Sequence, residues 1–345
     1  MHFSKESLMP NSIITMASDD QYALEQVLQV LRQEHDEHTA DRLARNFCLQ
    51  TTSNEISKKG MEFLYMNGHY DDLQKLINKN KKSSCKSNRN WAAVYQVTID
   101  RKFRMYLPSE IIRQLRDIRT DEPELQSLME FIKINIYHSM NDFSQFGNSL
   151  EKQQYLFEKI EDRFLLSFFQ IRLNQSLFIY YLIRNEVIMA RKYAFRVLND
   201  TTSPNTKINI HTNLGFSYLY DTYFQGMYHM SEALKIAKKH DLQKSITVTE
   251  QKNIPFLSAH FKKTEGVTST DKSEQAHIEI AKGNNAKAES ILNEIPIDSP
   301  FKMYYLGMAK QDKYILLKSY NSFIENRSDY FFSRMPLQEI RKMGA

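Results

Sequence analysis

Two stretches of the chain, RLNQSLFIYYLIRNEVIMARKYAFRVLND and HTNLGFSYLYDTYFQGMYHMSEALKIAKKHD, align on each other at an offset of 39 residues. Asn174 falls on Asn213, Ser176 on Gly215, Tyr181 on Tyr220 and Ala194 on Ala233. A period of that length marks stacked supersecondary units, each of which buries its apolar face only against its neighbours. Each unit reads as a helix, a short break and a second helix. Small residues suit close packing, Ala190 and Ala194 in one unit and Ala233 and Ala237 in the other. Weaker copies recur at EFLYMNGHYDDLQKLI, HIEIAKGNNAKAESILNEI and MYYLGMAKQDKYILLKSYNSFI, with Gly, Asn or Asp at the break.

Composition agrees with this pattern. Nine glycines and eight prolines in 345 residues are under half the usual share of roughly 12%. A sandwich, barrel or doubly wound sheet needs more turn formers than that. The predicted fold is therefore all-α, a tetratricopeptide-like helical-repeat solenoid in which helix pairs form a right-handed superhelix. Three segments are expected: a short N-terminal tail at 1–19, N-terminal and central repeats at 20–262, and C-terminal repeats at 263–345. The loop-like stretch KTEGVTSTDK, Lys263 to Lys272, is the softer boundary. Tyr22, Leu24, Val27, Leu28, Val30 and Leu31 give the first helix, predicted over Asp20 to Gln33, a broad apolar face. Asp19 and Asp20 suit its positive end. Ser109 is the expected N-cap of the helix EIIRQLRDI.

No secretory h-region opens the chain, and its longest apolar runs fall far short of the ~20 residues a membrane span needs. Two cysteines, Cys48 and Cys85, make no disulfide framework; Cys48, between Phe47 and Leu49, reads as core. These features point to a cytoplasmic protein without a membrane partner. The sequence holds no GxGxxG, GxxxxGK[ST] or GxSxG. His35 and His38 in HDEH lack further ligands for a metal. The reading is of a protein that is not an enzyme and carries no cofactor or metal.

Binding chemistry shows more clearly. Asn205, Asn209 and Asn213 recur at i, i+4 and i+8, along one face of a first helix. Gln170 and Asn174 form the equivalent pair one repeat earlier. Each amide is both donor and acceptor, so two such ladders could bracket the backbone of an extended peptide, with Lys207 beside them. Charge is uneven as well. Between Lys75 and Arg104 stand nine basic residues and one acid, Asp100, whereas the whole chain has a net charge of +5. Lys79, Lys81, Lys82, Lys86 and Arg89 are the candidate contacts for an acidic protein or for nucleic acid; the same run also reads as a solvated loop between helices.

Four stretches carry a family resemblance: IRTDEPELQSLMEFIKI, RNEVIMARKYAFRVLNDTT, the NLGFSYLY helix and, most distinctively, SDYFFSRMPLQEIRKMG. With them the chain resembles the arbitrium receptors of Bacillus phages, quorum-sensing regulators of lysis and lysogeny. The resemblance implies a short signalling peptide held in the groove of the solenoid. It also implies an acidic groove residue at Asp329, which would meet a cationic part of that peptide. Near Asn205 the family uses an arginine, and here only Lys207 is close. The family joins a DNA-reading helix-turn-helix domain to its repeats and pairs two protomers through a last helix. In this sequence those elements would precede Asp20 and follow Gly344. The expectation is thus a regulator that works through contact with another protein, with DNA binding and a homodimer as further expectations.

Overall fold

A computed structural model describes residues 22–344. The expected tail at 1–19, with Asp19 and Asp20, lies outside the described residues. The described residues are 76% helical, and no strand occurs among them. Helices are numbered here from the first described one.

The breaks inside helix pairs share one device. Gly68, Asn141, Asn185, Asp241, Gly283 and Gln311 all adopt left-handed backbone, with φ between 51° and 86°. In each case the next residue's N–H donates to a carbonyl five residues back: His69 to Leu64, Asp142 to Tyr137, Glu186 to Tyr181, Leu242 to Ala237, Asn284 to Glu279 and Asp312 to Gly307, at 2.8–3.0 Å. These are Schellman closures, which satisfy carbonyls that a helix end leaves orphaned. Gly and Asn meet the left-handed demand at least cost, and they stand at four of these six turns.

By internal packing the described residues fall into two units. One holds the residues up to Ile136 together with Asn148–Arg172, and the other holds Tyr137–Gly147 together with Leu173 onward. In the first unit lie α1 (Leu24–Glu34), α2 (Glu37–Gln50), α3 (Asn54–Asn67), α4 (Tyr70–Asn80), α5 (Lys86–Lys102) and α6 (Pro108–Asp117). α7 (Pro123–Ser139), α8 (Phe143–Phe157) and α9 (Arg163–Ile183) each contribute residues to both units. The predicted first helix starts at Leu24, and its face buries Leu24, Val27, Leu28 and Leu31. Asp36 caps α2, accepting from the His38 and Thr39 amides at 3.1 Å. Cys48 is fully buried, and burial pushes its thiol well above the ordinary range. One start differs from expectation. α6 begins at Pro108, and Glu110 reaches back to the Leu107 N–H at 2.9 Å. Ser109 is therefore inside the helix, because proline at N1 has no N–H to leave orphaned and its fixed φ suits the first turn.

The second unit contains α10 (Val187–Asp200), α11 (Pro204–Ser217) and α12 (Tyr223–Lys239). After these come α13 (Gln243–Val248), a π-turn at Thr249–Asn253 and α14 (Ile254–His260). The unit ends with α15 (Lys272–Ala281), α16 (Asn285–Asn293), α17 (Pro300–Lys310), α18 (Lys313–Arg327) and α19 (Arg334–Lys342). Ala190, Ala194, Ala233 and Ala237 have no exposed surface, as the repeat pattern required. Pro255 cannot donate to the Gln251 carbonyl. The Ser269 hydroxyl does so instead at 2.5 Å, and the Thr270 amide donates to Gln251 Oε1 at 2.8 Å. The 263–272 stretch thus lies inside the second unit and is tied to it.

Helices α17 and α18 cross at Gly307. A Cβ there would stand 2.8–3.0 Å from Leu316 Cγ, Cδ2 and backbone N. Gly→Ala in a helix interior ordinarily stabilises by about 0.5–1 kcal/mol. Gly307→Ala is expected to do the opposite, losing about 1–3 kcal/mol through overpacking against a backbone atom. Urea unfolding of the variant beside the parent checks this.

Candidate functional site

The distinctive segment SDYFFSRMP forms the turn between α18 and α19. Its amides do not cap their own helix alone. Tyr330 and Phe331 N–H both donate to the Ile183 carbonyl at 2.8 and 3.2 Å, closing the C-terminal end of α9. The Tyr220 hydroxyl donates to the Phe331 carbonyl at 3.0 Å. Arg334 donates to Asn185 Oδ1 at 3.0 Å, and its guanidinium lies 3.8 Å from the centre of the Tyr220 ring. The last helices of this unit are thereby fastened to its first.

Asp329 organises that turn. It follows Ser328, which has φ 46°, and its Oδ1 accepts from the Phe331 and Phe332 amides at 3.1 and 2.9 Å. Asp329 is 9% exposed. Burial raises its pKa from 3.8 to about 6, against the pull of those two amides and of Arg327. Both amides use one oxygen, which leaves Oδ2 without a partner among the described residues. A buried carboxylate with one committed and one uncommitted oxygen can still receive a cationic donor.

The amide ladder lies on α11. Asn205 and Asn209 are exposed, and Asn213 and Lys207 are half-buried. Asn213 Nδ2 donates to the Asn209 carbonyl at 2.9 Å and approaches its Oδ1 at 3.4 Å, so the structure joins these two. Ser203 caps the helix, accepting from the Thr206 amide at 3.5 Å, and this leaves the Asn205 side chain out of the cap. Asn174 is 2% exposed on the part of α9 in the second unit; Gln170, exposed one turn earlier, belongs to the first unit.

Beside the ladder, His211 and His229 bring their Nδ1 atoms to 3.0 Å. Burial, then the neighbouring His211 and Arg191, lower His229 to about 4; burial also lowers His211. Both rings are thus neutral at pH 7. Arg191 lies 3.6 Å from the Tyr218 ring centre and donates to the Ser217 hydroxyl at 3.0 Å.

The basic run sits in the first unit. Lys79 donates to the Leu49 and Thr51 carbonyls at 3.0 and 2.5 Å, neutralising the negative end of α2. Lys81 donates to Gln96 at 2.8 Å, and Arg89 to the Ser83 and Ser84 carbonyls at 2.7 Å. Lys82 and Lys86 are exposed. Sequence reasoning missed Arg334, Tyr220 and the Ile183 carbonyl, whose partners lie more than 100 residues apart and leave no local signal.

Stacked helix pairs with left-handed Schellman breaks define a tetratricopeptide-like repeat protein. The chain belongs to the AimR transcriptional regulator-like family, whose family model matches residues 40–342. It is 22% identical over 315 residues to the AimR transcriptional regulator of Bacillus phage SPbeta, covering 88% of this chain and 80% of that protein. The solved structure of phAimR with its ligand is similar, with a TM-score of 0.80 and 19% identity, covering 94% of this chain and 99% of that one. A signal-transduction ATPase with a tetratricopeptide-repeat sensor from Pyrococcus horikoshii has a TM-score of 0.55 and 15% identity, covering 94% of this chain and 53% of that chain. No helix among the described residues is long and apolar enough to cross a membrane.

Proposed function

We propose that this chain is a cytoplasmic receptor for a short linear peptide, bound along the first helices of the second unit. Occupancy then changes its contact with another regulator in a lysis–lysogeny or transcriptional decision. The observation that carries this reading is the Asp329 carboxylate, buried, with Oδ1 held by two amides and Oδ2 uncommitted. It is the acceptor for a cationic group of the peptide. Asn205, Asn209 and Asn213 on α11 supply donors and acceptors for the peptide backbone, Asn174, buried on α9, acts as a positioning residue, and Lys207 supplies a cation for the peptide carboxylate. Membership of a transcriptional regulator-like family and the fold shared with ligand-bound phAimR support it.

Calorimetric titration with a panel of phage pheromone hexapeptides tests the reading. The expected result is saturable binding at micromolar Kd or tighter, weakened at least tenfold by Asn213→Ala combined with Asn174→Ala, with the helical circular-dichroism signal retained. Absence of binding across the panel would overturn the receptor reading. Binding that ignores both substitutions would remove the asparagines from the site.

A further inference from the structure

The strip between α5 and α6 is not used by the proposed peptide site. Lys102 to Leu107 are six consecutive exposed residues. Four of them are large and apolar: Phe103 at 56% exposure, Met105 at 66%, Tyr106 at 48% and Leu107 at 66%. Single exposed apolar side chains are ordinary on a protein surface, whereas a contiguous run of them marks an interaction site. The strip lies against the protein body. Phe103 meets the Tyr70 ring edge-to-face at 5.9 Å, and the Lys102 ammonium stands 4.6 Å from the centre of the same ring. The Tyr70 ring also meets Tyr65 at 6.0 Å, so the floor beneath the strip is aromatic.

Charge decides what fits. Residues 101 to 119 carry six basic side chains and two acids, Glu110 and Asp117. Glu110 is occupied by the Leu107 N–H. Arg113, Arg116 and Arg119 are exposed on and just beyond α6. Two copies of this surface paired about a two-fold axis would set like charges against each other. Phosphate recognition needs the cations alone and leaves Met105 and Leu107 without a role. An acidic amphipathic helix satisfies both features, its apolar face on Met105, Tyr106 and Leu107 and its carboxylates toward the arginines.

We propose that residues 102–107, with the arginines of α6, form a docking surface for an acidic amphipathic helix of a protein partner. The probe is a fluorescein-labelled synthetic helix with leucines on one face and glutamates on the other, measured by polarisation on the full chain. A scrambled peptide of equal composition, phosphatidylserine-containing vesicles and 20-mer single- and double-stranded DNA are the comparisons. The expected result is at least tenfold tighter binding of the amphipathic probe than of the scramble. Met105→Asp with Leu107→Asp should weaken it at least tenfold, as should raised salt with Arg104→Glu. Phe224→Asp, at a residue 83% exposed in the second unit, should leave it unchanged. Equal binding of the scramble, no binding at all, or a response of only vesicles or DNA to the strip substitutions would overturn the proposal.

Discussion

Asp329→Asn is expected to weaken peptide binding about 30- to 150-fold at pH 8 while leaving the chain folded. Asparagine keeps an Oδ1 that can accept both the Phe331 and Phe332 amides, so the turn survives. What it removes is the negative charge at Oδ2. A hydrogen bond to a charged partner contributes about 2–3 kcal/mol, which is the fold-change stated. The same substitution predicts a stability effect of the opposite sense. The folded-state pKa of about 6 lies above the ordinary 3.8, so folding favours the protonated acid. The buried charge therefore costs nothing below 3.8 and costs progressively more as pH rises to 6. Above 6 the cost is complete, about 3 kcal/mol at 1.36 kcal/mol per pH unit. The variant should be more stable than the parent at pH 8 by up to that amount, with the gap closing toward pH 4. Peptide affinity of the parent should fall as pH drops through 6, whereas affinity of the variant should not follow that titration. Calorimetric binding and urea unfolding at pH 5 and 8 read both effects. A variant that binds like its parent at pH 8 would show that Asp329 serves the turn alone.

The helical repeat was legible because its signals are local. Ala190, Ala194, Ala233 and Ala237 announced close packing by size and spacing, and all four are fully buried. Gly68, Asn185 and Gly283 announced the breaks, because left-handed backbone selects these residue types wherever it occurs. Local reading failed where a nearer or more distant partner took the role. Proline rather than Ser109 fixes the start of α6, since its ring sets the first φ. Lys79 looked like a free cation, but it is engaged by the Leu49 and Thr51 carbonyls about 30 residues away. The asparagine ladder was readable as a spacing. That Asn213 turns toward the Asn209 carbonyl was not, because spacing fixes the face a residue shares and not the rotamer it takes. Asp329 was reached through family likeness. Its two-amide grip depends on the left-handed Ser328 before it, which nothing in the sequence demanded.

Glu62→Ala is expected to destabilise the first unit by about 3–5 kcal/mol. Glu62 has no exposed surface, and Arg172 is 7% exposed. Arg172 donates from Nε to Oε1 at 2.8 Å and from Nη2 to Oε2 at 2.6 Å, and the Tyr95 hydroxyl also donates to Glu62. Burial opposes the Arg172 charge, but the bidentate carboxylate outweighs it and holds the guanidinium above its ordinary pKa range. Burial, then the same carboxylate, raises the Tyr95 phenol. Removing Glu62 would take the acceptor from the buried Tyr95 hydroxyl and the bidentate carboxylate from the buried Arg172 cation. Its 4.4 Å approach to the Tyr65 ring could not replace the ion pair, because stacking contributes about 2 kcal/mol when desolvated. Removing every polar member at once is a different matter. Glu62→Leu with Arg172→Met and Tyr95→Phe removes both charges and the hydroxyl at once, so most of the loss should return, because matched apolar side chains often equal a buried pair in stability. Urea unfolding of the single and triple variants separates the cases. If the single variant lost less than about 1 kcal/mol, water would reach the pair in solution; if the triple variant stayed as unstable as the single, the loss would come from packing, not from the uncompensated charge.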